Sequence, residues 1–137
     1  MGALPQFGWA TLSGFKAVTG YSANGVGDDK HSWGIDGQRA KKIHGQGSGA
    51  PFGTAWATGD VIGLAVDIAG QTISASVNGS FSDPCGAAFA KVPFPADGVG
   101  IVPALSGQSG LYRVFFGPQF KHAPPDASYV AVADAKM

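Results

Sequence analysis

The acidic side chains are the first residues to consider for catalysis, because carboxylates can serve as acids, bases and nucleophiles. All nine of them are aspartates, and the chain contains no glutamate. Glycoside hydrolysis needs two carboxylates, one of them with a raised pKa, and no pair of aspartates stands out by its spacing. The sequence also lacks the GxSxG turn that exposes a nucleophilic serine in hydrolases. We therefore predict that the protein is not an enzyme and has no catalytic residues.

Histidine and cysteine are the usual ligands of zinc, and here they are few and scattered. His31, His44 and His122 lie far apart, without the HExxH or CxxC spacing of a zinc site. Cys85 is the single cysteine, which excludes both an internal disulfide and a multi-cysteine metal site. The sequence therefore predicts no metal centre.

Two loop features could still bind an ion or a nucleotide. Asp28 and Asp29, together with Asp36, could offer the clustered oxygens that calcium prefers, but the alternating ligand pattern and the bidentate glutamate are missing. We interpret them as solvated or capping carboxylates. The glycine-rich residues 25–27 and 45–49 are not followed by the helix that a phosphate-binding loop requires. We therefore expect no cofactor.

The charge balance argues against two classes of partner. Nine basic and nine acidic residues give a formal net charge of zero, whereas a nucleic-acid binder needs a surplus of lysine and arginine. Arg39, Lys41 and Lys42 form the only basic cluster, which we interpret as a solvated strand face. No apolar run approaches the roughly 18 residues of a membrane span, and the first residues lack the pattern of a signal peptide. We predict an intracellular, cytoplasmic protein that binds neither nucleic acid nor membrane.

The elements that must position any site are strands. The 137 residues include 22 glycines and 9 prolines, so turns are frequent. Residues 61–68 and 72–77 alternate between apolar and polar side chains around a short turn, and Asn78-Gly79 follows as a strong turn signal. Further strands are predicted at residues 7–11, 32–36, 41–44, 101–105 and 111–116. This pattern predicts an all-β sandwich or barrel.

An ordered set of short motifs is more specific than these patterns. The set comprises Gly8-Trp9-Ala10, Ser32-Trp33-Gly34 with Asp36-Gly37, Phe52-Gly53, Trp56, Gly59-Asp60-Val61-Ile62-Gly63, Ala87-Ala88-Phe89, Val102-Pro103-Ala104 and Phe116-Gly117. Across residues 6–120 it resembles the SPRY (B30.2-type) domain, in particular the versions in large ubiquitin ligases and ryanodine receptors. The resemblance implies an all-β, antiparallel two-sheet bent β-sandwich, a concanavalin-like jelly roll, over residues 1–122. An Ala/Pro-rich tail, residues 123–137, follows it.

The resemblance also implies binding without catalysis. Family members present loops at one end of the sandwich to a peptide segment of a partner, so we expect an interaction module of a larger intracellular protein of the ubiquitin-ligase-adaptor or channel type. The residues implied in partner binding are Tyr21, Asp28, Asp29, His31, Gln108 and Ser109. For the two aspartates, simple turn capping is an equally good interpretation. The alternative function is a lectin-like sandwich that binds sugar through Trp9, Tyr21 or Trp33, together with Asp28.

The chain departs from the family pattern at its start. Strands normally precede the Gly8 motif, and only seven residues do so here; either the domain is truncated or the strands come from elsewhere. Because an exposed edge recruits other chains, we predict self-association, marginal stability, or pairing by residues 129–132 as a replacement strand. The predicted core consists of Trp33, Trp56, Ile62, Leu64, Val66, Ile73, Val77 and Phe116.

Overall fold

A computed structural model describes residues 5–16, 25–45, 48–95 and 100–135. It contains eight strands: β1 (Gln6–Thr11), β2 (Ser32–Asp36), β3 (Lys41–His44), β4 (Ala50–Pro51), β5 (Ile62–Asp67), β6 (Thr72–Val77), β7 (Gly86–Phe89) and β8 (Ile101–Ser106). One short 3-10 helix covers Val132–Asp134. The part of the chain that is described has no helix long and apolar enough to cross a membrane.

The strands form two antiparallel sheets, one of five strands in the order β4-β3-β2-β1-β8 and one of three strands in the order β5-β6-β7. The predicted all-β class with two antiparallel sheets is thereby confirmed. The chain divides into two compact units. The first contains the five-stranded sheet and covers Met1–Thr58 with Gly100–Gly110; the second contains the three-stranded sheet and covers Gly59–Val99 with Leu111–Met137. The predicted division at residue 122 stays a prediction.

Strand β2 is the best-buried element of the first unit, since all five of its residues are buried. It lies between β1 and β3, with Trp33 opposite Trp9 on one side and opposite His44 on the other. The Trp33 indole stacks on the His44 ring with centroids 4.7 Å apart. A second aromatic contact joins Phe7 and Trp56, whose ring centroids are 4.9 Å apart. The aromatic residues of the GWA and SWG motifs are therefore core residues.

The second unit is organised around the hairpin of β5 and β6. Its six residue pairs run from Ile62 opposite Val77 to Asp67 opposite Thr72. Asn78 and Gly79 both have positive φ, 52° and 87°, and the Ser80 amide donates to the Val77 carbonyl over 3.2 Å. Two consecutive positive φ values are the signature of the turn that Asn-Gly favours. The predicted hairpin and the Asn-Gly turn are both confirmed.

Several other predictions can be compared with the structure. Trp33, Trp56 and Ile73 are buried as predicted. The four core residues at Ile62, Leu64, Val66 and Val77 are only partly buried.

The predicted strand at residues 111–116 is wrong, because that stretch has no regular structure. Phe116, predicted to be buried, is 47% exposed. The predicted replacement strand at residues 129–132 is also wrong, since the 3-10 helix begins at Val132 and no strand covers the stretch.

Candidate functional site

The residues predicted to bind a partner fall on two loops of the first unit. Asp28, Asp29 and His31 lie in the loop that precedes β2, which we call the 25–31 loop. Gln108 and Ser109 lie in the 107–110 loop, which follows β8, and both are exposed. Tyr21 lies outside the described residues.

Asp28 holds the 25–31 loop against strand β1. One oxygen of its carboxylate accepts a hydrogen bond from the Gly25 amide over 2.7 Å, and the other accepts one from the Gln6 side-chain amide over 3.1 Å. The Asp28 amide in turn donates to the Gly25 carbonyl over 3.1 Å, which closes a turn. Gln6 is buried in β1, so this carboxylate fixes the loop to a rigid strand.

Asp29 holds the same loop against strand β2. Its Oδ1 accepts from the His31 amide over 2.8 Å and from the Ser32 hydroxyl over 2.9 Å. The Ser32 oxygen also accepts from the Gly27 amide over 2.8 Å. Asp29 therefore caps a turn, as does Asp28, and the capping interpretation of both residues matches their contacts. A carboxylate has about four lone-pair sites, so a role in binding is compatible with these bonds and stays a prediction.

The 25–31 loop lies directly on the five-stranded sheet at a point where both surfaces lack a side chain. A Cβ atom at Gly34 in β2 would collide with the Val26 carbonyl, and one at Gly27, where φ is 98°, would collide with the backbone of Ile43. Two glycines therefore permit this close approach. Val26 is fully buried and clusters with Ala10 and Ala104 from the neighbouring strands.

One hydrogen bond joins the two loops across 80 residues of sequence. The Val26 amide donates to the Ser106 hydroxyl over 2.9 Å. Ser106 is the last residue of β8, and the 107–110 loop begins immediately after it. Ser106 also lies opposite Gln6 in the sheet, and Gln6 binds Asp28. The structure thus brings Asp28 close to the start of the loop that carries Gln108 and Ser109.

His31 lies at the other end of the sheet. Its carbonyl accepts from the Thr11 amide over 2.8 Å, and its ring lies against Gly14. Thr11 is opposite Ile101, the first residue of β8, whereas Gln108 follows the last. Because a strand rises about 3.3 Å per residue, the length of β8 separates His31 from Gln108. The structure therefore divides the predicted set between two ends of the sheet.

The tryptophans that the lectin-like alternative would use are buried. Trp9 and Trp33 are each only 5% exposed, so neither ring can stack on a sugar at the surface. The Trp9 indole nitrogen is buried without a hydrogen-bond partner among the described residues. Of the aromatic residues named for that function, only Tyr21 is not excluded, and it lies outside the described residues.

Arg39 is exposed, as a solvated residue would be, but it lies in the turn after β2 and pairs with a buried carboxylate, a pairing that was not predicted from the sequence. Asp36, at the end of β2, is fully buried, and its Oδ2 accepts from two nitrogens of the Arg39 guanidinium, over 2.7 Å and 2.5 Å. Its Oδ1 accepts from the amides of Gln38 and Arg39, over 2.9 Å and 2.8 Å. The signal in the sequence was the DGQR tetrapeptide directly after a strand, since aspartate accepts bonds from amides two and three residues on in a turn.

The chain is similar to known proteins over most of its length. The family model of the SPRY domain matches residues 1–118. The chain is 36% identical over 107 residues, 78% of its length, to E3 ubiquitin-protein ligase RKP of Arabidopsis thaliana. It is 38% identical over 80 residues, 54% of its length, to Ran-binding protein 9 of Homo sapiens and to Ran-binding protein 10 of Danio rerio. The matches cover 8% of the ligase and 11% and 13% of the two Ran-binding proteins, so the chain spans a small part of each.

Proposed function

Because this chain belongs to the SPRY domain family, it is a protein-interaction module, and we propose that it binds an extended peptide segment of a partner. The binding surface consists of the 107–110 loop, the adjoining part of the 25–31 loop around Asp28, and Tyr21. His31, at the far end of the sheet, and Asp29, whose carboxylate is bonded to the His31 amide, are left out of this surface. No step of catalysis is assigned to any residue.

The observation that carries the proposal is the bond between Val26 and Ser106. It ties two loops that are distant in sequence to one place on a buried sheet, and loops positioned by a rigid scaffold are the usual carriers of recognition. Preorganised loops also bind with a smaller loss of conformational freedom. Neither loop needs to rearrange to bring Asp28 near the start of the 107–110 loop.

The exposed groups suit the backbone and side chains of a peptide. The Gln108 amide offers both donors and an acceptor, which matches the N–H and C=O groups of an extended chain. The carboxylate of Asp28 favours a segment that carries lysine or arginine, because complementary charge steers encounter and improves specificity. We therefore propose a partner segment with at least one basic residue.

The experiment compares a double variant with a matched control against one peptide selected by display. Tyr21→Ala with Gln108→Ala should weaken the affinity at least about tenfold, since truncating a contact at the centre of an interface costs more than about 1 kcal/mol. Gln119→Ala removes an exposed glutamine from the second unit and should leave the affinity unchanged. An equal affinity in the double variant, or a loss matched by a lower thermal midpoint, contradicts the proposed surface.

The proposal extends to the protein that contains the module. We place it in a larger intracellular protein, of the ligase-adaptor or channel type, in the cytoplasm. The single cysteine, Cys85, is suited to a reducing compartment, where disulfides are rare. A fluorescent fusion of the whole protein tests the location, and accumulation in the secretory pathway would contradict it.

A further inference from the structure

An apolar stretch of the second unit pairs with no strand among the described residues. We call residues 111–116, with the sequence LYRVFF, the 111–116 segment. Leu111 is 99% exposed, Val114 45%, Phe115 62% and Phe116 47%. No described residue hydrogen-bonds to the backbone of Arg113, Val114 or Phe115. Valine and the aromatic residues favour strands, so the sequence is suited to a structure that the segment does not adopt alone.

The chain around this segment is held in place by specific contacts. The Ala133 amide donates to the Phe116 carbonyl over 2.9 Å. Gly117 packs so closely against Phe120 and Ala131 that a Cβ atom there would collide with both. Further along, Tyr129 makes a side-chain hydrogen bond to Thr72 in strand β6. These contacts fix the chain that follows the segment, and the segment's apolar side chains are exposed; large exposed apolar patches mark interaction sites.

We propose that the 111–116 segment is a self-association surface that pairs antiparallel with the same segment of a second copy, centred on Val114. In this register Val114 lies opposite itself, and Tyr112 lies opposite Phe116 of the second copy. All these side chains share one face because alternate residues of a strand point the same way. That face is apolar apart from the Tyr112 hydroxyl, so pairing removes apolar area of both copies from water.

The charges of the segment select this register and favour a second copy as the occupant. Arg113 is the only charged residue, and pairing centred on Val114 sets it opposite Phe115 of the second copy, an arrangement that cation–π attraction stabilises. Pairing centred on Arg113 would instead set two arginines opposite each other, which is destabilising. The chain has a formal net charge of zero, so two copies do not repel each other.

The exposed apolar area is sufficient for a dimer. The exposed apolar residues of the second unit are Leu111, Val114, Phe115, Phe116, Phe120, Val130 and Val132. At their observed exposures they offer roughly 700 Å² per copy over both faces of the segment and its neighbours, so a two-fold contact has to cover most of them to reach the 1,200–2,000 Å² of standard stable interfaces, taken as an order-of-magnitude estimate. A two-fold axis through Val114 makes the contact self-complementary and closed.

Charge reversal at the axis tests the proposal on the full chain. Sedimentation velocity should show a concentration-dependent dimer of the unmodified chain. Val114→Lys and Val114→Glu should each raise the dissociation constant at least about tenfold, because each variant sets like charges opposite each other at the axis. An equimolar mixture of the two should restore a heterodimer, because opposite charges then meet. Restoration also shows that both variants are folded.

Leu12→Lys is the matched control, because Leu12 is an exposed apolar residue of the first unit, and it should leave the dissociation constant unchanged. A monomer at all concentrations up to about 1 mM overturns the proposal. So does a dimer that both Val114 variants leave intact. A monomer that instead binds a synthetic extended peptide of alternating apolar residues at this segment would identify a foreign strand as the occupant and also overturn it. Peptide binding by the 25–31 and 107–110 loops is measured separately, so the two proposals fail independently.

Discussion

The hairpin of β5 and β6 and the 111–116 segment carry the same kind of sequence and reach different structures. In both, a short stretch is rich in β-branched or aromatic residues, and every second side chain is placed to share one face. The hairpin pairs six residues with six, and Ile73 and Ala75 in β6 are buried. The 111–116 segment pairs with none of the strands that the structure describes, and Leu111 is almost completely exposed.

The difference shows that an alternating pattern of side chains indicates which residues would share a face, but does not by itself make the stretch form a strand. A strand gains its stability from cross-strand pairs and from the ladder of backbone hydrogen bonds. The hairpin supplies its own neighbour across a four-residue turn, since the Gln71 amide donates to the Ile68 carbonyl over 3.3 Å. The 111–116 segment depends on a neighbour from elsewhere, and it remains irregular without one.

The largest expected effect is on the free energy of unfolding, which truncation of a side chain in the hairpin should lower more than truncation in the 111–116 segment. Ile73→Ala should lower the free energy of unfolding by about 2–5 kcal/mol, because Ile73 is fully buried and the substitution leaves a cavity. Phe116→Ala should cost about 1 kcal/mol or less, since the ring is only half buried. Denaturant unfolding of dilute protein measures both values. Comparable losses for the two variants would show that the segment is packed like a strand.

A smaller effect is expected at the open end of the hairpin. Asn78 accepts from the Val61 amide over 2.9 Å and donates to the Asp60 carboxylate over 2.9 Å, and its φ is positive. Asn78→Ala loses both bonds and adds strain, so we expect a cost of about 1–3 kcal/mol.

Asn78→Gly is the matched variant for this position, because it relieves the strain and loses only the side-chain bonds; its thermal midpoint should lie between those of Asn78→Ala and the unmodified chain. If the alanine and glycine variants have equal midpoints, backbone strain at this turn is negligible.

The smallest effect concerns the contact that anchors the C-terminal stretch to the hairpin. Burial raises the pKa of Tyr129 above its usual value of 10.0, and the charges of Asp67 and Asp126 act in the same direction, while the bond with Thr72 acts in the opposite one. A raised pKa means that the folded chain holds this proton more tightly. The resulting stabilisation is fully present below about pH 10 and is lost as the pH rises through the raised pKa.

The thermal midpoint should therefore fall less steeply above about pH 10 in Tyr129→Phe than in the unmodified chain. Val130→Ala changes an exposed neighbour that does not ionise and should keep the original slope. Identical slopes for Tyr129→Phe and the unmodified chain would mean that Tyr129 ionises equally in the folded and unfolded states.

The sequence predicted strand bounds best where the residues of a segment and its flanking turns are enough to define the strand. The bounds of β2, β3 and β6 agree with the prediction, because apolar periodicity and flanking turns act within a few residues. Strand β7 and the two-residue β4 carry too little pattern to be recognised. The predicted strand at residues 111–116 failed because its pairing partner is not encoded in its own residues.

The candidate site was predictable in its residues but not in its arrangement. The adjacent aspartates signalled capped turns, and both residues do cap turns. Nothing in the sequence distinguished the end of the sheet where His31 lies from the end where Gln108 follows β8, because that depends on the register of β1 with its two neighbours. The bond from Val26 to Ser106 likewise joins residues that no local pattern relates.

By itself, the sequence determined the all-β class, the family motifs and the absence of a charge surplus, because composition and short-range periodicity act through local backbone preference and side-chain burial. Only the tertiary structure decided that Asp36 is fully buried and that the 25–31 loop crosses the sheet over Gly34. It also decided that an alternating segment stays exposed. These outcomes depend on which residues distant in sequence come into contact. A contact of this kind stabilises the chain only after the loop between the two residues has closed.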